Sequence, residues 1–170
     1  MALDVFSAQI IGNAILCFGL IVAIITIIYN VKTAKKMQTA IFLFESRKDQ
    51  EYIQGLHVIR KVHDSGKSFR SYVIPMKGME LTKEEKEERL KIQYILNFYE
   101  RVAVSIKNGI FSEIMIKEVS YSTVVQNYGI AEPFIHAIRE KQQLQTLYQE
   151  YEWLVTRWKK CPLKKTSNIK

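Results

Sequence analysis

Catalytic chemistry in this chain would have to come from a few places. The histidines are His57, His63 and His136. At about 100° per residue, His57 and His63 point about 120° apart on one helix, which is not the i, i+4 arrangement of a two-histidine zinc face. Arg60 and His63 do share a face, three residues apart. A second polar group, Asn97, Glu100, Arg101 and Lys107, interrupts the apolar run ILNFYERVAVSIKNGIF from Ile95 to Phe111. Acid–base work by Glu100 or Asn97 would need a histidine, a cysteine or a second carboxylate beside it. These four lie mostly off the apolar seam of their helix, and we expect a solvated or partner-facing back. The sequence has no glycine-rich phosphate loop, nucleophile elbow or paired-cysteine metal signature. We therefore expect a non-enzymatic protein without metal or cofactor.

The elements that would position these residues divide the chain in two. Residues 5–31 contain no Asp, Glu, Lys or Arg. Crossing roughly 30 Å of hydrocarbon takes about 20 helical residues, so this segment is long enough to span a bilayer. The start, MALD, is acidic, and the apolar run is too long for a cleaved signal peptide. Lys32, Lys35 and Lys36 follow the run directly, and the positive-inside rule then places the N-terminus outside and residues 32–170 in the cytoplasm. Cys17 and Cys161 fall in different regions, so no disulfide scaffold is expected.

Beyond the membrane the periodicity is helical throughout. Residues 32–64 predict one long helix whose first part can run straight on from the membrane helix, with Met37, Ile41, Phe44, Ile53, Leu56, Ile59 and His63 on one face and Ser65-Gly66 as its stop. Pro75 and Gly78 make 67–81 irregular. Thr82 and Glu85 have the form of a capping box, opening a helix that carries Ile92, Ile95, Tyr99, Val102 and Ile106 and stops at Asn108-Gly109. A short helix is expected from Ser112 to Tyr128-Gly129. A long one follows from Pro133 to Lys160, with Leu144, Leu147, Tyr151, Leu154 and Trp158 as its seam. The expected architecture is all-α: residues 1–31 as flank and transmembrane helix, 32–160 as a cytoplasmic bundle of about four helices, and 161–170 as a basic tail.

Two surfaces invite partners. Within the span, Ala8, Gly12, Gly19, Ala23, Thr26 and Asn30 fall near one line, a small-residue stripe of the kind that lets membrane helices pack closely. Gln9 and Asn13 lie about 60–100° around from it. A polar residue at that depth is comfortable facing a partner helix or water. We expect a homo-oligomer packed through Gly12, Gly19, Ala23 and Thr26, with Gln9, Asn13 and Asn30 as candidates to line a pore. The net charge is +8, and from Arg157 to Lys170 there are six Lys or Arg and no acid. Arg157, Lys159, Lys160, Lys164 and Lys165 form a basic patch suited to anionic lipid head groups or RNA.

The run ILNFYERVAVSIKNGIFSE, followed by AEPFIHAIREK and preceded by the break His63-Asp64-Ser65-Gly66-Lys67, resembles a widespread group of small bacterial membrane proteins of unknown function. The resemblance covers most of residues 40–145 and implies one membrane helix and a helical domain. The overall layout is also similar to the small membrane accessory proteins of type VI-B CRISPR loci. That likeness implies a pore that strengthens antiphage defence at the bacterial inner membrane, triggered by a cytoplasmic RNA-guided effector. It further implies a HEPN-like layout, yet helical ribonucleases of the HEPN type place four to six residues between Arg and His, and Arg60 to His63 is shorter. The reading reached here is a self-associating protein that perturbs or permeabilises its membrane. The alternatives are a membrane-tethered ribonuclease using Arg60 and His63, or a passive anchor for a cytoplasmic partner.

Overall fold

A computed structural model describes the backbone of residues 2–163 and the side chains of residues 9–163. Among the described residues the chain is helical, with α1 at Ala2–Ser46, α2 at Gln50–Asp64, α3 at Lys83–Lys107, α4 at Glu113–Gln142 and α5 at Gln149–Lys160. Helices α2–α5 form the bundle, and α1 leaves it as a projecting rod.

The compositional boundary at residue 31 is not a structural one. α1 runs unbroken for 45 residues, about 67 Å at 1.5 Å per residue. It also ends earlier than periodicity predicts. The expected helix over 32–64 is cut at Arg47–Asp49, where the Asp49 side chain accepts the Tyr52 N–H at 3.1 Å and starts α2 afresh. Asp49 also takes the Tyr94 hydroxyl, and that bond, acting first, with the Tyr52 amide, lowers its pKa. The break turns α2 back along α3, where Tyr52 meets Tyr99 (hydroxyl oxygens 2.9 Å apart) and Lys61 pairs with Glu88 at 2.8 Å.

α2 and α3 approach closely at Gly55. A Cβ there would lie 2.6 Å from Ile95 Cγ1 and 3.0 Å from the Lys91 carbonyl. Thr82 and Glu85 form the expected capping box at the start of α3, with bonds of 3.2 and 2.7 Å. At its end Gly109 takes the left-handed turn at φ 73°. In the irregular stretch a 3-10 turn at Phe69–Tyr72 seats Phe69, Tyr72 and Val73 in the core.

The largest departure from the sequence pattern concerns the last two helices. Tyr128-Gly129 does not stop α4, which continues through Pro133 to Gln142. A proline inside a helix loses the bond to residue i−4 and crowds its carbonyl. Here residue i−4 is Gly129, and the burial of Tyr128, Ala131, Phe134, Ile135 and Ile138 around the site outweighs that loss. The predicted helix 133–160 is instead cut at 143–148, where Gln143 and Tyr148 adopt left-handed φ of 55° and 58°. Arg139, itself buried, holds this turn: Nε donates to the Leu147 carbonyl at 2.9 Å and Nη2 to Glu152 at 2.7 Å. α5 then runs antiparallel to α4, with Tyr151 beside Tyr128 and Trp158 beside Tyr121.

Two glycine substitutions should therefore act in opposite directions. Gly55→Ala should lower stability by about 1–3 kcal/mol through overpacking against Ile95 and the α3 backbone. Gly129→Ala, where no atom lies within 4 Å of the added Cβ, should raise it by about 0.5–1 kcal/mol through helix propensity. Thermal unfolding of the detergent-solubilised chain followed at the helical circular dichroism band checks both signs.

Candidate functional site

The candidate residues of the apolar segment stand clear of the rest of the chain. One helix among the described residues is long and apolar enough to cross a membrane, and its apolar window is unburied. A Cβ added at Gly12 or Gly19 would meet nothing within 4 Å. Ala23, Gln9, Asn13 and Asn30 are exposed. The Thr26 hydroxyl is satisfied within its own helix by the Val22 carbonyl at 2.8 Å.

The bundle meets α1 from Lys35 onward, past the apolar segment. Thr39 is fully buried; its hydroxyl donates to the Lys35 carbonyl at 2.7 Å and accepts the Ser112 N–H at 2.8 Å. Phe42 stacks on Phe98 and Phe111 with centroids 5.5 and 4.6 Å apart. Relative to Thr39, helical phase puts Gly12, Gly19, Ala23 and Thr26 within about 40° of the opposite side of α1. The small-residue stripe thus faces away from the side on which the bundle sits.

Arg60 and His63 line an open groove of about 1030 Å³. His57 and Asp64 of α2, Gln126 and Asn127 of α4 and Lys159 of α5 share its walls. The groove is wide enough to take both histidines although they are set off from each other around the helix. Sequence spacing within α2 carried no signal for Asn127 or Lys159, which arrive through the packing of α4 and α5. No group of three or more His, Cys, Asp or Glu that could hold a metal occurs among the described residues.

The basic patch is divided. Lys159 faces the groove. Arg157 makes a two-pronged bond to Glu113 at 2.8 and 3.2 Å, and Lys160 lines a separate cleft with Lys117 and Trp153. The bond from Arg157, with help from the Trp158 indole, holds the Glu113 carboxyl below its usual range against its partial burial. Lys164 and Lys165 lie outside the described residues.

Three of the four polar residues of the 95–111 stretch lie as expected, and one does not. Asn97, Arg101 and Lys107 are exposed, as a helix back should be. Glu100 is not. Its carboxylate accepts the N–H groups of Glu150 and Tyr151 at 3.3 and 2.7 Å, and so caps the start of α5 from another helix. Tyr148, in the N-cap position, offers no side-chain bond of its own. Lys107 closes the same corner by pairing with Glu150 at 2.8 Å. Burial raises the Glu100 pKa, and the two amide bonds only partly offset it.

Because the folded-state pKa of Glu100 is raised, its ionisation opposes folding above that pKa, and the opposition fades as pH falls through it. Glu100→Gln keeps an acceptor for the amides without the buried charge. Its stability relative to wild type should be highest at neutral and alkaline pH and should fall as the medium is acidified. Glu100→Ala leaves the α5 amides unmet and should cost about 1–3 kcal/mol in acid, less as pH rises because it too removes the buried charge. Urea titrations of the three proteins across pH measure both effects.

No curated protein and no solved structure matches the chain. A family model does, from residue 13 inside the apolar segment to residue 158 in the last helix, so segment and bundle recur together as one unit. On that match over residues 13–158, the chain belongs to the DUF4760 family, a domain of unknown function.

Proposed function

We propose that the protein is a single-span membrane protein that self-associates through α1 and acts on the bilayer, perturbing or permeabilising it, with the helical bundle in the cytoplasm. The observation that carries this reading is the placement of the stripe. Gly12, Gly19, Ala23 and Thr26 lie on the side of α1 away from the bundle, with open space around the glycines. Spans from several copies can meet along that face while their bundles stay outside the contact. The apolar flank needs a non-aqueous environment, since leaving twenty or so such residues in water would cost far more than folding yields.

In such an assembly Gln9 and Asn13 stand to the side of the stripe, where they can meet a neighbouring helix or a lumen. Asn30 lies on the stripe line at the cytoplasmic end. The unbroken course of α1 into the Thr39 contact supports transmission of a cytoplasmic signal to the span. An RNA-guided effector in the cytoplasm is the class of trigger implied by the resemblance in layout.

A second reading rests on the groove. It brings Arg60, His63, His57 and Lys159 to one concave surface, as a phosphate-handling site would require. The two readings separate cleanly. Gly19→Leu with Ala23→Leu should abolish a discrete oligomer of the detergent-extracted protein and the release of dye from protein-containing vesicles. Arg60→Ala with His63→Ala should leave both intact. A wild-type monomer would sink the first reading. Loss of function in cells only with the Arg60 and His63 pair would favour the second.

A further inference from the structure

The turn between α3 and α4 sits beside the point where α1 leaves its apolar segment. Lys35 is four residues past Val31, about 6 Å along the helix, and its Nζ lies 3.9 Å from where a Cβ on Gly109 would be. Thr39, about 12 Å past Val31, binds the Ser112 amide. Between these two levels the chain carries Ile110, and one turn into α4 comes Ile114. They are 49% and 70% exposed.

Cations surround them. Lys107 ends α3, and Lys117 is on the second turn of α4. α5 returns to the same end: Arg157 reaches Glu113, and Lys117 donates to the Cys161 carbonyl. Trp153 lies there too, under the Lys107 ammonium and the Arg157 guanidinium with 5.6 and 5.8 Å to its ring centre. The carboxylates nearby are engaged, Glu113 by Arg157 and Glu150 by Lys107. Lys35, Lys117 and Lys160 have no carboxylate partner among the described residues. Aliphatic tips, an indole and a ring of lysines at one depth are the makings of an interfacial contact.

We propose that the α3–α4 turn is a second membrane contact. Ile110 and Ile114 enter the head-group layer, and Lys35, Lys117 and Lys160 engage the phosphates of an anionic leaflet. The occupant is the bilayer and not a second copy, because this surface is continuous with the apolar segment. Its near edge, at the level of Lys35, also falls within the 5–8 Å or so that head groups extend beyond the hydrocarbon on each side. The inference rests on α1 being a span, and the test separates the two.

Full-length chains with one cysteine each are labelled with an environment-sensitive fluorophore and placed in vesicles carrying nitroxide lipids. The positions are Ile110→Cys and Ile114→Cys, Met79→Cys at the opposite end of the bundle, and the native Cys17. Cys17 and Cys161 are otherwise serine. In vesicles containing phosphatidylglycerol, labels at 110 and 114 should be quenched and blue-shifted, and the label at 79 should not. Vesicles of phosphatidylcholine alone should relieve the quenching at 110 and 114. Lys117→Glu with Lys160→Glu should lower the docked-to-undocked ratio by about tenfold or more. Equal signals at 79 and 110 would overturn the proposal. So would labels at 110 and 114 that are shielded from aqueous iodide but untouched by lipid nitroxide, since a second copy would then cover them. A quenched label at 17 with unquenched labels at 110 and 114 defeats this inference alone. An unquenched label at 17 defeats the span as well.

Discussion

Thr39 has no exposed surface, and its hydroxyl bonds in two directions, to the Lys35 carbonyl behind it and from the Ser112 amide across the helix contact. Ser112 is the residue before α4, and its own side chain makes no capping bond. The projecting helix therefore supplies the polar partner that the start of α4 lacks. With Phe42 stacked on Phe98 and Phe111, this is where the apolar rod and the bundle become one body. A buried amide left without a partner carries a penalty of a few kcal/mol. The geometry of everything at that end of the bundle follows from this pairing: the α3–α4 turn, the lysines beside it and the side of α1 on which the bundle sits.

The same device, one helix completing another, recurs across the core. Glu100 of α3 terminates the free amides of α5, and Arg139 of α4 holds the carbonyl of the turn that precedes it. Glu88, nearly buried, is pulled towards ionisation by Lys61 and the Tyr72 hydroxyl against the opposing effect of burial. These groups are polar residues at largely apolar positions, and each meets a backbone group or an opposite charge from a different element. That is why the most suggestive acid in the sequence is a structural one. A carboxylate already holding two amides is poorly placed to move protons for a substrate.

Local signals were legible and long-range ones were not. The apolar run of residues 5–31, the Thr82–Glu85 capping box and the Asn108-Gly109 stop could be read because each depends on residues within one turn. The seam Ile92–Ile106 and the all-α class followed from periodicity. Three boundaries misled, the first at Arg47–Asp49, where Asp49 starts α2 afresh inside an unbroken helical period. Gly129 and Pro133 look like punctuation, but burial of the flanking residues carries α4 through them. The turn at 143–148 contains neither glycine nor proline and exists because Arg139 and Glu152 meet across it. The groove was half visible: Arg60 and His63 share a helix face, whereas Asn127 and Lys159 join them only once three helices have packed. The role of Glu100 was invisible for the same reason, since its partners are some fifty residues away.

The unbroken course of α1 also gives the molecule mechanical leverage. From the Thr39 contact to Gln9 the helix extends about 45 Å without a proline or a hinge. A tilt of only about 5° at that contact would carry the far end sideways by about 4 Å, close to half the spacing between packed helices. Small displacements of the bundle are thereby magnified at the far end of the apolar segment. A rod of this kind converts a modest rearrangement at its fulcrum into a displacement of a side chain's width at its tip.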